Sequence, residues 1–337
     1  MSSFPASGIR SRLLSGALRG FAAVAALLAI VCPNAQADSW PSKPITIVSP
    51  YPAGGITDAL CRIVGDKLGK ALGQPVIVED RPGAGGAIAA ASVAHAAPDG
   101  YTLLMGGSAV STILPALNPN VAYDPLKDFE PVAYVAALPL VLVANPAVPA
   151  ANLKEFIAYA KANSGKLSCG HNGVGTGTHL ACVQFGRSLG IPINAIAYKG
   201  APQVNVDLLA DRVQFYFGTL STEIGYVRAG QLRAYGIASA ERVPSAPTIP
   251  TLAEQGLPGF NMDAWNALYA PAKTPQPIIS RLNAEVDKIL QMPDVRKKIE
   301  ATGSILHVGS AEQLRKLTAD EFQQYRDLGA VAHIQLK

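Results

Sequence analysis

Two α/β lobes, each a mainly parallel sheet flanked by helices, are what this sequence predicts. Three observations carry that expectation. Short apolar runs alternate with helical periodicity from Ile45 onward. A β-branched run over residues 132–143 is interrupted by Pro139. The C-terminal segments read as helices with no strands of their own. Alternation implies parallel strands with helices on their faces, and terminal helices must pack on a sheet already made. The chain should therefore cross to a second lobe near residue 140 and return near residue 265. That assigns residues 38–140 and 266–337 to lobe 1 and residues 141–265 to lobe 2.

Each element has a local reason. Strands are predicted at 45–48, 76–78 and 102–105. Residues 56–72 put Leu60, Ile63, Val64, Leu68 and Leu72 on one helical face. Thr57 and Asp58 can cap that helix and Gly73 can stop it. An alanine-rich helix follows at 86–97. In the second lobe, helices at 153–163, 178–189 and 204–210 alternate with strands at 167–170, 193–198, 213–217 and 234–238. After a Pro-rich loop, residues 264–270 read as extended and 277–291, 294–302 and 311–328 as helices.

The first 37 residues are expected to be a cleavable secretory leader. Arg10, Arg12 and Arg19 precede an apolar run at 21–31, and "AQA" ends at Ala37 in a small-x-small pattern. The mature chain is then periplasmic. Removing those three arginines lowers the formal charge from +4 to +1. A nearly neutral surface offers no footprint for nucleic acid or anionic lipid. Three cysteines remain, Cys61, Cys169 and Cys182. Cys169 and Cys182 could bridge a strand to the next helix, or all three could be buried thiols. No C-x-x-C or H-E-x-x-H pattern supports a metal site.

Three loops sit where a strand hands over to a helix. "YPAGGIT", Tyr51 to Thr57, supplies adjacent glycines; a second, "GVGTGTH", Gly173 to His179, alternates glycine with small residues; a third, "GGSAVST", presents Ser108. Ligands of open parallel sheets bind outside the carboxyl ends of strands. Helix starts expose unpaired N–H groups that suit an anion, and glycine lets ligand oxygens approach the backbone. Two loops belong to the first predicted lobe and one to the second, so together they favour a carboxylate. Neither a dinucleotide fingerprint nor a phosphate loop occurs. A hydrolase using Ser108 is a poorer reading, because no G-x-S-x-G elbow is present. His179 is the histidine placed in the cleft, with packing as the alternative. Asp58 reads as a helix cap, with contact to a ligand amine as the alternative. Trp265 and Tyr269 line the cleft or pack the hinge.

The ordered set "WPSKPITIVSPYPAGG", "VIVEDRPGAGG", "PDGYTLLMG", "GVGTGTHLA", "YKGAPQ" and "WNALYAPAKTP" resembles the Bug-type extracytoplasmic solute receptors of tripartite tricarboxylate transporters. The resemblance runs from Trp40 to Pro275. It implies a two-lobed periplasmic-binding-protein (Venus flytrap) fold that closes on a carboxylate. It also implies that Tyr51, Ala53, Gly54, Gly55 and Thr57 grip the ligand together with Gly175, Thr176, Thr178 and His179. Ser108, Tyr198 and Thr219 would line the pocket. By the same likeness the protein is a monomer without cofactor or reaction. It would pass a small organic acid, a dicarboxylate or an aromatic carboxylate, to integral membrane permease subunits. A receptor for a membrane sensor kinase is the alternative. Ile56, Asp80 and Lys273 depart from the family's usual residues, a small residue or proline, asparagine and glycine respectively.

Overall fold

The computed structural model describes residues 40–306, 309–331 and 334. The expected leader, His307 and His333 lie outside the described residues. From β1 (Ile45–Ser49) the chain runs through α1 (Ile56–Leu72), β2 (Val76–Asp80), α2 (Ala87–Ala94) and β3 (Thr102–Gly107). A wide π-helical turn, Ala109–Ile113, then leads into the short α3 (Leu114–Leu117). Strands β4 (Phe129–Leu138) and β5 (Leu140–Ala144) follow, separated only by Pro139.

Next come α4 (Leu153–Ala162), β6 (Ser168–His171), α5 (Gly177–Leu189), β7 (Asn194–Ala197) and α6 (Ala201–Leu209). After these are β8 (Phe215–Thr219), α7 (Leu220–Arg228) and β9 (Arg233–Ile237). The chain ends with β10 (Ala264–Pro271), α8 (Gln276–Gln291), α9 (Pro293–Ala301), β11 (Ile305–Leu306) and α10 (Ala311–Val331).

One sheet has the order β11-β4-β10-β3-β1-β2 and the other β7-β6-β8-β5-β9. Pairing is parallel where a helix connects the strands: β1 with β2 and β3, and β6 with β7 and β8. It is antiparallel where the chain passes between sheets. Outgoing β4 and returning β10 are antiparallel neighbours in the first sheet, and β5 and β9 are so in the second. Each sheet is thus mixed rather than mainly parallel, because two sheets sharing one chain must exchange an outgoing and a returning strand. Pro139 marks the exchange. It has no N–H to give either ladder, and its carbonyl accepts from Leu220 N at 2.8 Å.

Amphipathic spacing explains the cover of the sheets. In α8, Ile279, Leu282, Val286, Ile289 and Leu290 are buried, each contributing about 1.5–3 kcal/mol relative to exposure. A second core built on β5, β8, α4 and α5 also takes in Ile113, Leu117, Tyr325 and Leu328, so α3 and α10 pack across from the first sheet. Trp265 and Tyr269 are core residues. Trp265 stacks on Tyr134 with ring centroids 5.8 Å apart and donates its Nε1–H to half-buried Glu321 at 2.8 Å. Tyr269 shares a 2.7 Å hydrogen bond with Thr318. Cys169 and Cys182 form a disulfide, and Cys61 is a free, buried thiol in α1.

The family departures have local explanations. Lys273 stands in the left-handed region at φ 68°, where glycine carries no steric penalty. Asp80 joins Asp58 around the Arg62 guanidinium. Ile56 is half-buried as the first residue of α1.

Candidate functional site: glycine loops at the strand ends

Each predicted loop follows a strand and opens a helix or helical turn, so backbone amides converge there for the reason given by strand-to-helix topology. In the first loop, Ala53, Gly54 and Gly55 are exposed, and Thr57 and Asp58 are buried at the start of α1. Gly54 has φ 87°. Its amide donates to Asp58 Oδ2 at 2.8 Å, while Arg62 Nε meets Asp58 Oδ1 at 2.8 Å. The bond from Gly54, foremost, holds the Asp58 carboxyl below its ordinary value. Asp58 therefore fixes the approach to its helix, although the N-cap position itself belongs to Gly55. Tyr51 is half-buried, and desolvation pushes its hydroxyl up to about 12.

The third loop is tied to the first. Asn266 on β10 donates from Nδ2 to Thr57 Oγ1 and to the Gly106 carbonyl, both at 3.2 Å. Ser108 is buried, and its Oγ accepts from Trp265 N at 3.4 Å. Its carbonyl takes the Thr112 hydroxyl at 2.6 Å. Gly107 has no room for a side chain, since a Cβ there would lie 2.1 Å from the Trp265 carbonyl oxygen.

The second loop repeats the device of the first. The Gly175 amide donates to His179 Nδ1 at 3.1 Å, again four residues ahead. Thr176 is the N-cap of α5, its Oγ1 accepting from His179 N at 3.3 Å. The Thr176 hydroxyl donates to the Gly173 carbonyl at 2.7 Å, and Thr178 Oγ1 accepts from Asn172 N at 2.9 Å. His179 stacks on His171 with centroids 4.2 Å apart. Burial, then the neighbouring imidazole, lowers His179 to about 4, and burial lowers His171, so both rings are neutral at physiological pH.

The remaining predicted residues, Tyr198 and Thr219, are bonded to neighbours in the second half. Tyr198 takes its position from the bond of its N–H to the His171 carbonyl at 2.9 Å, yet its hydroxyl donates to Asp207 at 2.8 Å. Thr219 ends β8 and shares a 2.8 Å bond with Thr222. Behind it Glu223 is fully buried, and desolvation pushes its carboxyl up to about 7.

Among the described residues no hydrogen bond joins the first loop to the second. The second loop does approach the π-helical turn: a Cβ at Gly177 would lie 3.9 Å from Ile113 Cδ1. Sequence reasoning missed His171, which lies eight residues from its stacking partner across a loop. It also missed Asn266, which stood beside the Trp265 singled out in the sequence. Among the described residues there is no cluster of acidic, histidine or cysteine side chains able to hold a metal.

Comparison with known proteins bears on these loops. A family model described as tripartite tricarboxylate transporter family receptor matches residues 60–331. Protein BugT of Bordetella pertussis is 37% identical over 300 residues, 88% of this chain and 92% of BugT. MatC from Rhodopseudomonas palustris, solved with bound malate, shares 35% identity at a TM-score of 0.70, covering 86% of this chain and 99% of MatC. A second R. palustris protein, solved with adipate, shares 30% identity at a TM-score of 0.73, covering 88% and 99% of the respective chains.

Proposed function

We propose, from the premise that this chain belongs to the tripartite tricarboxylate transporter family of receptors, that it captures an organic acid between its glycine loops. The protein is a solute-binding receptor and not an enzyme. The acid is a dicarboxylate or an aromatic carboxylate, in keeping with the malate and adipate held by its structural neighbours. The receptor works in the periplasm, reached after cleavage of the leader near Ala37, and delivers the acid to integral membrane permease subunits. Among the described residues no helix is long and apolar enough to cross a membrane. The lobes divide at Pro139 and again just ahead of β10.

The observation that carries this reading is the matched pair of amide-to-acceptor bonds, Gly54 to Asp58 and Gly175 to His179. Each holds a glycine turn open at a helix start, in the conformation that presents first-turn amides to an anion. Thr57, Thr176 and Thr178 add hydroxyls beside those amides. Closure of the two halves lets one carboxylate meet both sets, so ligand and closed form stabilise one another.

Calorimetry and thermal shift against a panel of carboxylates test it. An acid at one hundred times its dissociation constant adds about 2.7 kcal/mol to the stability of the folded form, a rise of several degrees in Tm. A panel of mono-, di- and tricarboxylates that leaves Tm unmoved and gives no heat removes the proposal.

A further inference from the structure

We propose that Glu223 sets the affinity of this site for anions through its own charge: as a neutral acid it permits a carboxylate on the second glycine loop, and once ionised it repels one. Capture is then linked to proton uptake. The inference rests on the receptor reading above and adds to it a control of that same site by pH.

Glu223 lies in the first turn of α7 with no exposed surface. Its Oε1 accepts from Asn205 Nδ2 on α6 at 3.2 Å. Its Oε2 has no partner, and neither has Oδ1 of the same Asn205, a residue only 3% exposed. Two buried acceptors without a donor are costly. A proton on the carboxyl turns one of them into a donor and removes the charge. Desolvation, opposed by the Asn205 bond, pushes this carboxyl up to about 7. Among the described residues no cation offsets it. Helix α7 packs on β5, β8 and β9, and β5 has no titratable residue. On β9, Arg233 donates to the Val148 and Ala150 carbonyls and Tyr235 to that of Ala150. Arg228 on α7 donates to the Ser245 carbonyl, and Asp207 on α6 is held by Arg212 and Tyr198.

The carboxyl is coupled to the second loop through packed side chains. Gly218 leaves the space for it: a Cβ there would lie 2.4 Å from Glu223 Cγ and 2.6 Å from Tyr216 Cε1. The Tyr216 hydroxyl donates to Asn172 Oδ1 at 2.7 Å, and the Asn172 N–H donates to Thr178 Oγ1 at 2.9 Å. Burial, then the Glu223 charge, raises that tyrosine hydroxyl, so the field of the carboxyl reaches the group bonded to the start of the loop. Strands β6 and β8 run parallel, which puts Asn172 and the first turn of α7 at the same edge of the second sheet. Glu223 itself meets no ligand. It acts through its charge, which a water-poor interior screens weakly. By reciprocity, an anion on the loop strengthens the hold of Glu223 on its proton.

The experiment is calorimetry on the full mature chain with malate, succinate, adipate and benzoate from about pH 6 to about pH 8.5. For an acid that binds, affinity should fall by about fivefold or more as pH rises through 7, and in folded Glu223→Gln the change should stay within about twofold. Glu321, also pushed up to about 7, is the control: Glu321→Gln should keep the native slope. The native chain gives a second reading that needs no variant. Heats measured at about pH 7.5 in phosphate and in Tris should differ by the uptake of a fraction of a proton. The inference is overturned, and the receptor reading stands, if acids bind but native affinity is flat over this range or no proton is taken up. A slope that survives in Glu223→Gln, or is lost in Glu321→Gln, overturns it as well. Binding of none of the four acids at any pH removes both readings.

Discussion

The first and second glycine loops solve one problem with different chemistry. In both, a glycine amide at positive φ, 87° at Gly54 and 78° at Gly175, is held by a side chain four residues ahead. In the first the acceptor is a carboxylate, Asp58, clamped by the exposed Arg62. In the second it is a neutral imidazole stacked on another, with the strand and helix behind it joined by Cys169–Cys182. A charged acceptor keeps its hydrogen bond through the acid range, because that bond lowers its own protonation. A buried imidazole keeps its bond only while it stays unprotonated. The first loop is therefore anchored electrostatically and the second by burial and a covalent link.

The largest test separates the covalent link. Cys169→Ser with Cys182→Ser opens a closure spanning a sequence separation of 13 residues and should cost about 3 kcal/mol in denaturant unfolding. The loss should fall on the second sheet: hydrogen exchange should quicken in β6 and α5 and hold steady in β1 and α1. Equal loosening of both sheets would break the distinction.

Acid should separate the two acceptors next. An unfolded histidine binds its proton near 6.5, whereas folded His179 does so only near 4. Between those values the unfolded state holds more protons, so the His179 contribution is complete above 6.5 and declines as pH falls. Glu223 and Glu321, pushed up to about 7 by burial, act in the opposite direction: the folded state holds the extra proton, and their contribution fades as pH rises toward 7. The comparison must be made by difference. The stability advantage of the native chain over His179→Asn should shrink by about 2 kcal/mol between pH 6.5 and 5. A flat difference would mean the ring is not held neutral.

The smallest effect probes what the loops share. Gly54→Ala and Gly175→Ala place a Cβ in the left-handed region, and the Gly54 position has no neighbour within 4 Å of it. Each should cost about 1 kcal/mol from backbone strain alone. Unequal losses would show that the two turns carry different loads.

Much of this was legible in the sequence where the signal is local. Pro139 inside a β-branched run marked the passage between sheets, and Gly54–Gly55 and Gly173–Gly177 marked strand-to-helix turns. Helix α7 went unread because Thr222, Glu223 and Gly225 interrupt its apolar spacing, and the π-helical turn at Ala109–Ile113 because Val110, Thr112 and Ile113 read as extended. The rest depends on distance along the chain. Thr57 and Asn266 are bonded across 209 positions, and no period in the sequence reports such a meeting. Antiparallel exchange of strands likewise follows from having two sheets on one chain rather than from any strand's own residues.

Cys61 has a practical consequence. It is buried in α1 with no exposed surface, and desolvation raises its thiol, so the nucleophilic thiolate is suppressed. With Cys169 and Cys182 joined to each other, the described residues offer maleimide dyes no accessible thiol. A fluorophore pair introduced at two engineered surface positions, one over each sheet, would test the proposed ligand-driven closure with no competing thiol among the described residues.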